Sequence, residues 1–222
     1  MVVVSSVAAI IGGHTGENKI YDDSDWTDLN RVRDAYSKSK TLAEQAAWDF
    51  INGAENANHL EMVSVNPSVI FGPILDNRYH TSIEWFLTLM RAEVPGVART
   101  QLDMVDVRDV VEMIYQAMVT PAAAGKRFIC HAASPPLKEF AKVLKRNFSE
   151  RGYRIPTRVL PDVLVRLYAI FMPKTRGVAD ALGWRYGYST EAAKSVLGWQ
   201  PRPYEQTIIE MAESMIQQGL VS

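Results

Sequence analysis

Short apolar segments alternate with segments of helical periodicity along this chain, and this alternation constrains the fold more than any other feature. The apolar segments typical of strands buried on both faces are residues 2–4 continuing into 7–11, 62–65 and 104–107. The segments with apolar residues at spacings of three and four are 33–50, 109–118 and most of the chain after 137. Strands that alternate with helices predict parallel βαβ units, and hence an α/β fold.

The charge and composition of the chain exclude several classes of function. Lys and Arg number 24 against 25 Asp and Glu, so the basic excess of a nucleic-acid-binding protein is lacking. No segment approaches the ~20 apolar residues that span a bilayer, and the N-terminus lacks the basic leader of a secretory signal. We therefore expect a cytoplasmic protein without a nucleic-acid or membrane partner. The single cysteine, Cys130, excludes an intrachain disulfide and is predicted to be a buried small hydrophobe.

Tyr36 and Lys40 form a Tyr-x-x-x-Lys pair within the predicted helix 33–50. Residues four apart on a helix lie on the same face, with Cβ atoms about 5–6 Å apart. An ammonium at that distance favours the phenolate and lowers the pKa of a tyrosine. The pair therefore has the chemistry of a proton donor and acceptor, although such a pair alone is common on solvated helices.

The order of several motifs around this pair resembles the extended short-chain dehydrogenase/reductases, also called the NAD-dependent epimerase/dehydratase family. Those motifs are Ser5-Ser6 after the first strand, Asn66-Pro67-Ser68-Val69 through Pro73, the segment 105–110, and Leu197-Gly198-Trp199-Gln200-Pro201. The segment 38–44 is most similar to the dihydroflavonol-reductase and aldehyde-reductase branch. The resemblance runs from residue 2 to about residue 220.

The resemblance implies a role for each matching residue. Ser6 matches the serine that hydrogen-bonds the substrate carbonyl, Tyr36 the general acid, and Lys40 the residue that holds the nicotinamide ribose. The implied cofactor contacts are Tyr36, Lys40, Pro67, Ser68, Val69 and Ser82. The implied reaction is reduction of an aldehyde or ketone by NADPH, or the reverse oxidation of an alcohol, with NADP preferred over NAD.

Candidate substrate-binding residues follow the serine or lie further along the chain: Val7, Ile11, Tyr79, Phe86 and Tyr168. Each of the three aromatic residues among them, taken singly, is better explained as an ordinary core residue. Ile11 stands where plant flavonoid reductases carry an asparagine, which favours a less polar carbonyl substrate. The four histidines are scattered without metal-ligand spacing, so no metal site is expected.

The Gly-rich dinucleotide fingerprint that opens this family is not found in the sequence. Gly12-Gly13-His14-Thr15-Gly16 has the wrong spacing for a phosphate loop. We therefore expect an incomplete Rossmann-type parallel sheet, its C-terminal half, in residues 1–73, and a mostly helical substrate-binding region in 74–222 with a returning strand-helix unit at about 103–133.

A chain of this kind would be a truncated gene product, a proteolytic remnant or a chain completed by a partner, and is expected to be inactive alone. Its relatives often dimerise, so a homodimer is compatible with the sequence. The alternative function is that of a non-catalytic relative that binds a dinucleotide or a protein. The intact Ser6, Tyr36 and Lys40 count against that alternative.

Overall fold

The computed structural model describes residues 1–14, 18–75, 81–171, 176–183 and 185–221, without the side chains of residues 81, 82 and 176. The strands are β1 (Val2–Val4), β2 (Ile20–Tyr21), β3 (Val63–Pro67), β4 (Val69–Phe71), β5 (Met104–Asp106), β6 (Arg127–Cys130) and β7 (Gly187–Tyr188). The helices are α1 (Ala8–Ile11), α2 (Ala35–Asn52), α3 (Thr81–Met90), α4 (Val107–Val119), α5 (Leu137–Phe148), α6 (Asp162–Phe171), α7 (Arg176–Asp180), α8 (Glu191–Leu197) and α9 (Tyr204–Gln217).

The first of two compact units comprises residues 1–68, 108–131 and 185–201. Its sheet has the strand order β1-β3-β6, and all pairs are parallel, with Val3 opposite Ser64 and Val65 opposite Phe128. Strands β2 and β7 form a separate parallel pair. Because parallel strands end at the same edge of a sheet, the residues that follow β1, β3 and β6 lie along one edge, where ligands of such folds bind.

The second unit comprises residues 69–107, 132–184 and 202–222. Strands β4 and β5 pair in parallel, and the core between the surrounding helices is closed by a cluster of aromatic rings. Phe71, Phe86 and Phe140 lie in that cluster with ring centroids 5.6–6.2 Å apart. Helix α9 ends as its sequence predicts, because Gly219 has a positive φ and the N–H of Leu220 donates to the carbonyl of Met215.

The expectation that residues 7–11 belong to a strand buried on both faces is wrong. The strand ends at Val4, which is 46% exposed, and residues 8–11 form the helical turn α1. Ala9 and Ile10 are fully buried in that turn. A short apolar run is equally compatible with a buried helical turn, so its composition could not distinguish the two.

Helix α2 matches the predicted helix 33–50, but its buried face is polar. The buried residues of α2 are Ser37, Thr41 and Glu44, at positions i, i+4 and i+7. Leu42 and Phe50, two of the large apolar residues within the predicted helix 33–50, are 54% and 43% exposed. Of these three, Glu44 joins α2 to other elements by hydrogen bonds, whereas the hydroxyl of Thr41 donates within the helix to the carbonyl of Ser37.

The compact units differ in extent from the regions suggested by the sequence. Residues 185–201, placed in the substrate-binding region 74–222, group with the first unit, and the predicted returning segment 103–133 is divided between the two units. The predicted boundary at residue 73 separates a cofactor-binding region from a substrate-binding region. The grouping into compact units does not test what each region binds, so this boundary stays a prediction.

Candidate functional site

Ser6 lies where the chain leaves β1 and turns into α1. Its hydroxyl oxygen accepts a hydrogen bond from the N–H of Ala8, at 3.1 Å, and the side chain is buried, with 8% exposed. An oxygen that accepts in this way keeps its own hydrogen available to donate. Its acceptor bond from Ala8 also polarises the O–H group, which strengthens it as a donor. Ser6 thus has the geometry of a fixed hydrogen-bond donor at the carboxyl edge of the sheet.

Tyr36 and Lys40 lie one turn apart on α2, in the same compact unit as Ser6. Tyr36 is 60% exposed and Lys40 is half-buried. Asp34 caps the helix just before its first residue, and its carboxylate accepts from the N–H of Ser37 at 2.7 Å. This cap fixes the first turn of the helix, which carries the phenol.

A glycine allows α1 to pack closely on the first turn of α2. A Cβ added to Gly12 would lie 3.1 Å from the Cβ of Ser37 and 2.8 Å from Cγ2 of Thr27. The hydroxyl of Thr27 joins the same contact, because it accepts from the N–H of Gly12 and donates to the carbonyl of Ala8. Gly12 therefore serves packing beside the catalytic candidates.

A buried carboxylate, Glu44, connects α2 to the strand ends. Its Oε2 accepts from the hydroxyl of Ser5 at 2.6 Å and from the amide of Asn66 at 2.7 Å. Its Oε1 accepts from Nε of Arg127 at 2.7 Å, and the side chain of Glu44 is fully buried. We call Ser5, Glu44, Asn66 and Arg127 the carboxylate network.

Burial alone would raise the pKa of Glu44, but the hydrogen bond and the positive charge of Arg127, together with hydrogen bonds such as that from Ser5, lower the pKa below its usual value. Asn66 extends the network, because its amide also donates to the carbonyl of Ser6 at 3.2 Å. Sequence reasoning missed Glu44 and Asn66 as site residues. The available signals were a glutamate one turn after Lys40 and an asparagine inside an apolar strand.

The segment from Pro67 to Val69, expected to face the nicotinamide, runs from the last residue of β3 to the first residue of β4. The N–H of Ser68 already donates to the carbonyl of Cys130, and that of Val69 to the carbonyl of Asp103. The carbonyl of Pro67 accepts from the N–H of Val7 and keeps a second lone pair. A carboxamide here would therefore meet carbonyl oxygens or the hydroxyl of Ser68, rather than these two N–H groups.

His131 follows β6 at the same edge of the sheet and contacts that turn. Its Nδ1 lies 3.2 Å from the hydroxyl of Ser68, and its ring packs on Tyr188 at 4.5 Å between centroids. The side chain is buried, with 8% exposed. This histidine orients the Ser68 side chain, a contact that its place in the sequence did not suggest.

The candidate substrate-binding residues have different surroundings. Val7 and Ile11 pack in a small cluster with Tyr21 and Tyr188 in the first unit. Phe86 is fully buried in the aromatic core of the second unit, as an ordinary core residue would be, and Tyr168 is 54% exposed on α6. Tyr79 and the side chain of Ser82 lie outside the described residues.

Other features of the described residues bear on the chemistry. Cys130 is buried, and its burial together with the negative charge of Asp109 raises the pKa of the thiol. Among the described residues, no group of histidine, cysteine and carboxylate side chains could hold a metal ion. None of the helices in the described part of the chain is both long and apolar enough to cross a membrane.

The fold and the site together define a class. A parallel sheet carries a serine after one strand, and the next long helix carries a tyrosine and a lysine one turn apart. These are the features of the extended short-chain dehydrogenase/reductases, and comparison with known proteins supports that class. Residues 1–161 match the 3-beta hydroxysteroid dehydrogenase/isomerase family, and the chain belongs to this family.

Individual relatives are reductases. The chain is 31% identical to dihydroflavonol 4-reductase of Gerbera hybrida over 166 residues, which is 70% of this chain and 43% of the relative. It is 25% identical to cinnamoyl-CoA reductase 2 of Medicago truncatula over 223 residues, 99% of this chain and 59% of the relative. The yeast methylglyoxal/isovaleraldehyde reductase Gre2, solved with NADPH, superposes with a TM-score of 0.75 at 24% identity, covering 99% of this chain and 64% of that one.

These similarities confirm the predicted family and its α/β fold. The chain spans between 43% and 64% of the length of these three proteins. Their activities therefore belong to longer chains than this one.

Proposed function

We propose that this chain carries the proton-donating half of an NADPH-dependent carbonyl reductase. The observation that carries the proposal is that Ser6, Tyr36 and Lys40 belong to one compact unit, with Ser6 already oriented by the N–H of Ala8. The substrate would be a small aldehyde or ketone. The names of the relatives, reductases of carbonyl compounds, support this class of substrate.

Each residue has a defined task in this proposal. Ser6 donates its hydroxyl hydrogen to the substrate oxygen, which fixes the carbonyl and stabilises charge as it develops there. Tyr36 gives its phenolic proton to that same oxygen. Lys40, one turn along the exposed side of α2, binds the ribose hydroxyls and favours the phenolate that remains. NADPH, when bound, supplies the hydride.

The residues present fit the nicotinamide end of such a cofactor. An ammonium and a phenol suit a ribose, and carbonyl oxygens at Pro67 and Ser68 suit the N–H₂ of a carboxamide. The preference for NADPH over NADH rests on the relative solved with NADPH. The cytoplasmic location and the homodimer suggested by the sequence stay predictions.

Thermal denaturation with increasing NADPH and NADH tests binding directly. A ligand that binds only the folded chain at 100 times its Kd stabilises it by about 2.7 kcal/mol, which corresponds to a rise in Tm of about 5–10 °C. We expect a saturable rise that is larger with NADPH. A folded chain with no shift for either dinucleotide would contradict the proposal.

In a version that also carries the cofactor-binding half, turnover of an aldehyde with NADPH distinguishes the reductase from the alternative non-catalytic binder. Tyr36→Phe should lower kcat by about 10²–10⁴-fold, because it removes only the transferable proton. Tyr115→Phe is the matched control, since Tyr115 is 53% exposed on α4 and has no assigned role. Dinucleotide binding without turnover in the wild type of that longer version would favour the alternative.

A further inference from the structure

We infer that Glu44 is a positioning residue, whose buried carboxylate holds Ser6 in register with the helix that carries Tyr36 and Lys40. The inference rests on the proposed function only for the catalytic role of Ser6; that Glu44 holds Ser6 in place does not depend on it. Glu44 lies on the same helix as Tyr36 and Lys40, one turn after the lysine. A fixed carboxylate on that helix can therefore set the place of whatever it binds relative to the pair.

The carboxylate reaches the Ser6 peptide along two routes. The first is direct: the hydroxyl of Ser5 donates to Oε2 at 2.6 Å, and Ser5 is the residue before Ser6. The second passes through Asn66, whose single amide nitrogen lies 2.7 Å from Oε2 and 3.2 Å from the carbonyl of Ser6. Both ends of the same short segment of chain are thus tied to α2.

Neighbouring groups fix the direction of these bonds. The amide oxygen of Asn66 accepts from the hydroxyl of Ser64 at 3.0 Å, so the amide group is oriented with its nitrogen toward Glu44. Arg127 is bound on its other side by the carbonyls of Asp23 and Asp25. All polar atoms of the carboxylate are consequently used, and none of these groups is free to rotate without losing a partner.

Stability alone gives no reason for this arrangement. Replacing a buried ion pair by well-packed apolar residues is often neutral or stabilising, because both charges lose their hydration when they are buried. Hydrogen bonds differ from apolar contacts in fixing distance and direction. Catalytic groups must be held within about 0.5 Å of a productive geometry, a task for which directional hydrogen bonds between α2 and the strand ends are suited.

Two variants test the inference on the chain as it is, without cofactor. Ser5→Ala removes the direct route while leaving the pair between Glu44 and Arg127 intact, and Glu44→Gln removes the charge. Ala46→Gly is the matched control, because Ala46 is exposed on the same helix and the substitution weakens the helix without touching the network.

The measurement is amide hydrogen exchange and chemical shift by NMR on the ¹⁵N-labelled chain. The amides of interest are those of Val7, which donates to Pro67, and of Ala8, which donates to the Ser6 hydroxyl. In Ser5→Ala and Glu44→Gln we expect these two amides to exchange at least about tenfold faster relative to the amides of β3, with an upfield shift of the Ala8 proton. In Ala46→Gly the ratio should equal that of the wild type.

A uniform rise in exchange throughout the sheet in Ser5→Ala and Glu44→Gln, as in Ala46→Gly, would overturn the inference and make Glu44 only a stabilising residue. If Glu44→Gln does not fold, Ser5→Ala still decides, because its ion pair is kept. Failure of NADPH to bind the wild-type chain would count against the proposed function and not against this inference, since the exchange experiment contains no dinucleotide.

Discussion

Gly12→Ala is the perturbation that most directly tests how α1 packs beside the first turn of α2. Gly12 has φ −60° and ψ 140°, which alanine adopts without strain. Loss of unfolded-state freedom alone would therefore stabilise the variant by about 0.4–1 kcal/mol. The added Cβ would lie 2.8 Å from Cγ2 of Thr27 and 3.1 Å from the Cβ of Ser37, and overpacking of this kind costs about 1–3 kcal/mol. The clash is the larger effect, so we expect a net loss of about 1–2 kcal/mol.

Urea denaturation at 25 °C measures this loss against a matched control. Gly177 lies in helix α7 with nothing within 4 Å of an added Cβ, so Gly177→Ala should stabilise by up to about 1 kcal/mol. Thr27→Ser removes the methyl group nearest the clash but keeps the hydroxyl that bonds Gly12 and Ala8. The double variant Gly12→Ala/Thr27→Ser should therefore recover part of the loss. A Gly12→Ala chain as stable as wild type, or a loss unaffected by Thr27→Ser, would refute the packing argument.

Three further changes have outcomes that follow from burial. Burial raises the pKa of Asp23, so its negative charge destabilises the fold once the pH exceeds the pKa of Asp23 in the unfolded chain. Asp23→Asn should therefore raise the Tm at pH 7, with the gain vanishing below about pH 4. An equal gain at pH 3 in a series of Tm measurements against pH would contradict this. Cys130, whose thiol pKa is raised by burial, should react with a thiol reagent at pH 8 about a hundredfold more slowly in the folded chain than in denaturant, and equal rates would show that it is accessible. Phe140→Ala should lower the free energy of unfolding, measured in urea, by about 3–5 kcal/mol because the ring is fully buried, whereas Phe171→Ala, at a side chain 79% exposed, should leave it nearly unchanged. Similar losses for the two variants would argue against the placement of Phe140 in the core.

Local sequence patterns were sufficient for elements whose cause is local. The extent of α2 follows from its periodicity, and the end of α9 from Gly219 and Leu220. Trp199 in the motif near the C-terminus was predicted only as part of a resemblance. The structure gives its reason, because the ring is buried and its Nε1 donates to the carbonyl of Asp109 at 2.9 Å. Its partner Asp109 lies 90 residues earlier in the chain, so this contact could not be derived from the motif itself.

The same distinction explains why the run 7–11 was wrongly assigned to a strand. An apolar run specifies burial, and both a strand and a helical turn can bury it. What selects the turn is the hydroxyl of Ser6, which accepts the N–H of Ala8, and the hydroxyl of Thr27, which accepts from Gly12. Thr27 lies 15 residues from Gly12 in the chain, so the local sequence pattern shows the contact of Ser6 but not that of Thr27.

The candidate site shows this limit most clearly. Ser6, Tyr36 and Lys40 could be proposed as candidates because a family resemblance depends on the order of motifs, which the sequence displays. The carboxylate that organises their surroundings could not, because its partners Ser5, Asn66 and Arg127 are 39, 22 and 83 residues from Glu44. Helical periodicity could not identify the buried face of α2 either. It assumes that the buried side of a helix is apolar, whereas the buried residues of α2 are polar. Helix α2 buries Glu44, which makes directional hydrogen bonds to Ser5 and Asn66, and it exposes Tyr36. Under the proposed function, this arrangement would hold the phenol of Tyr36 in a constant place.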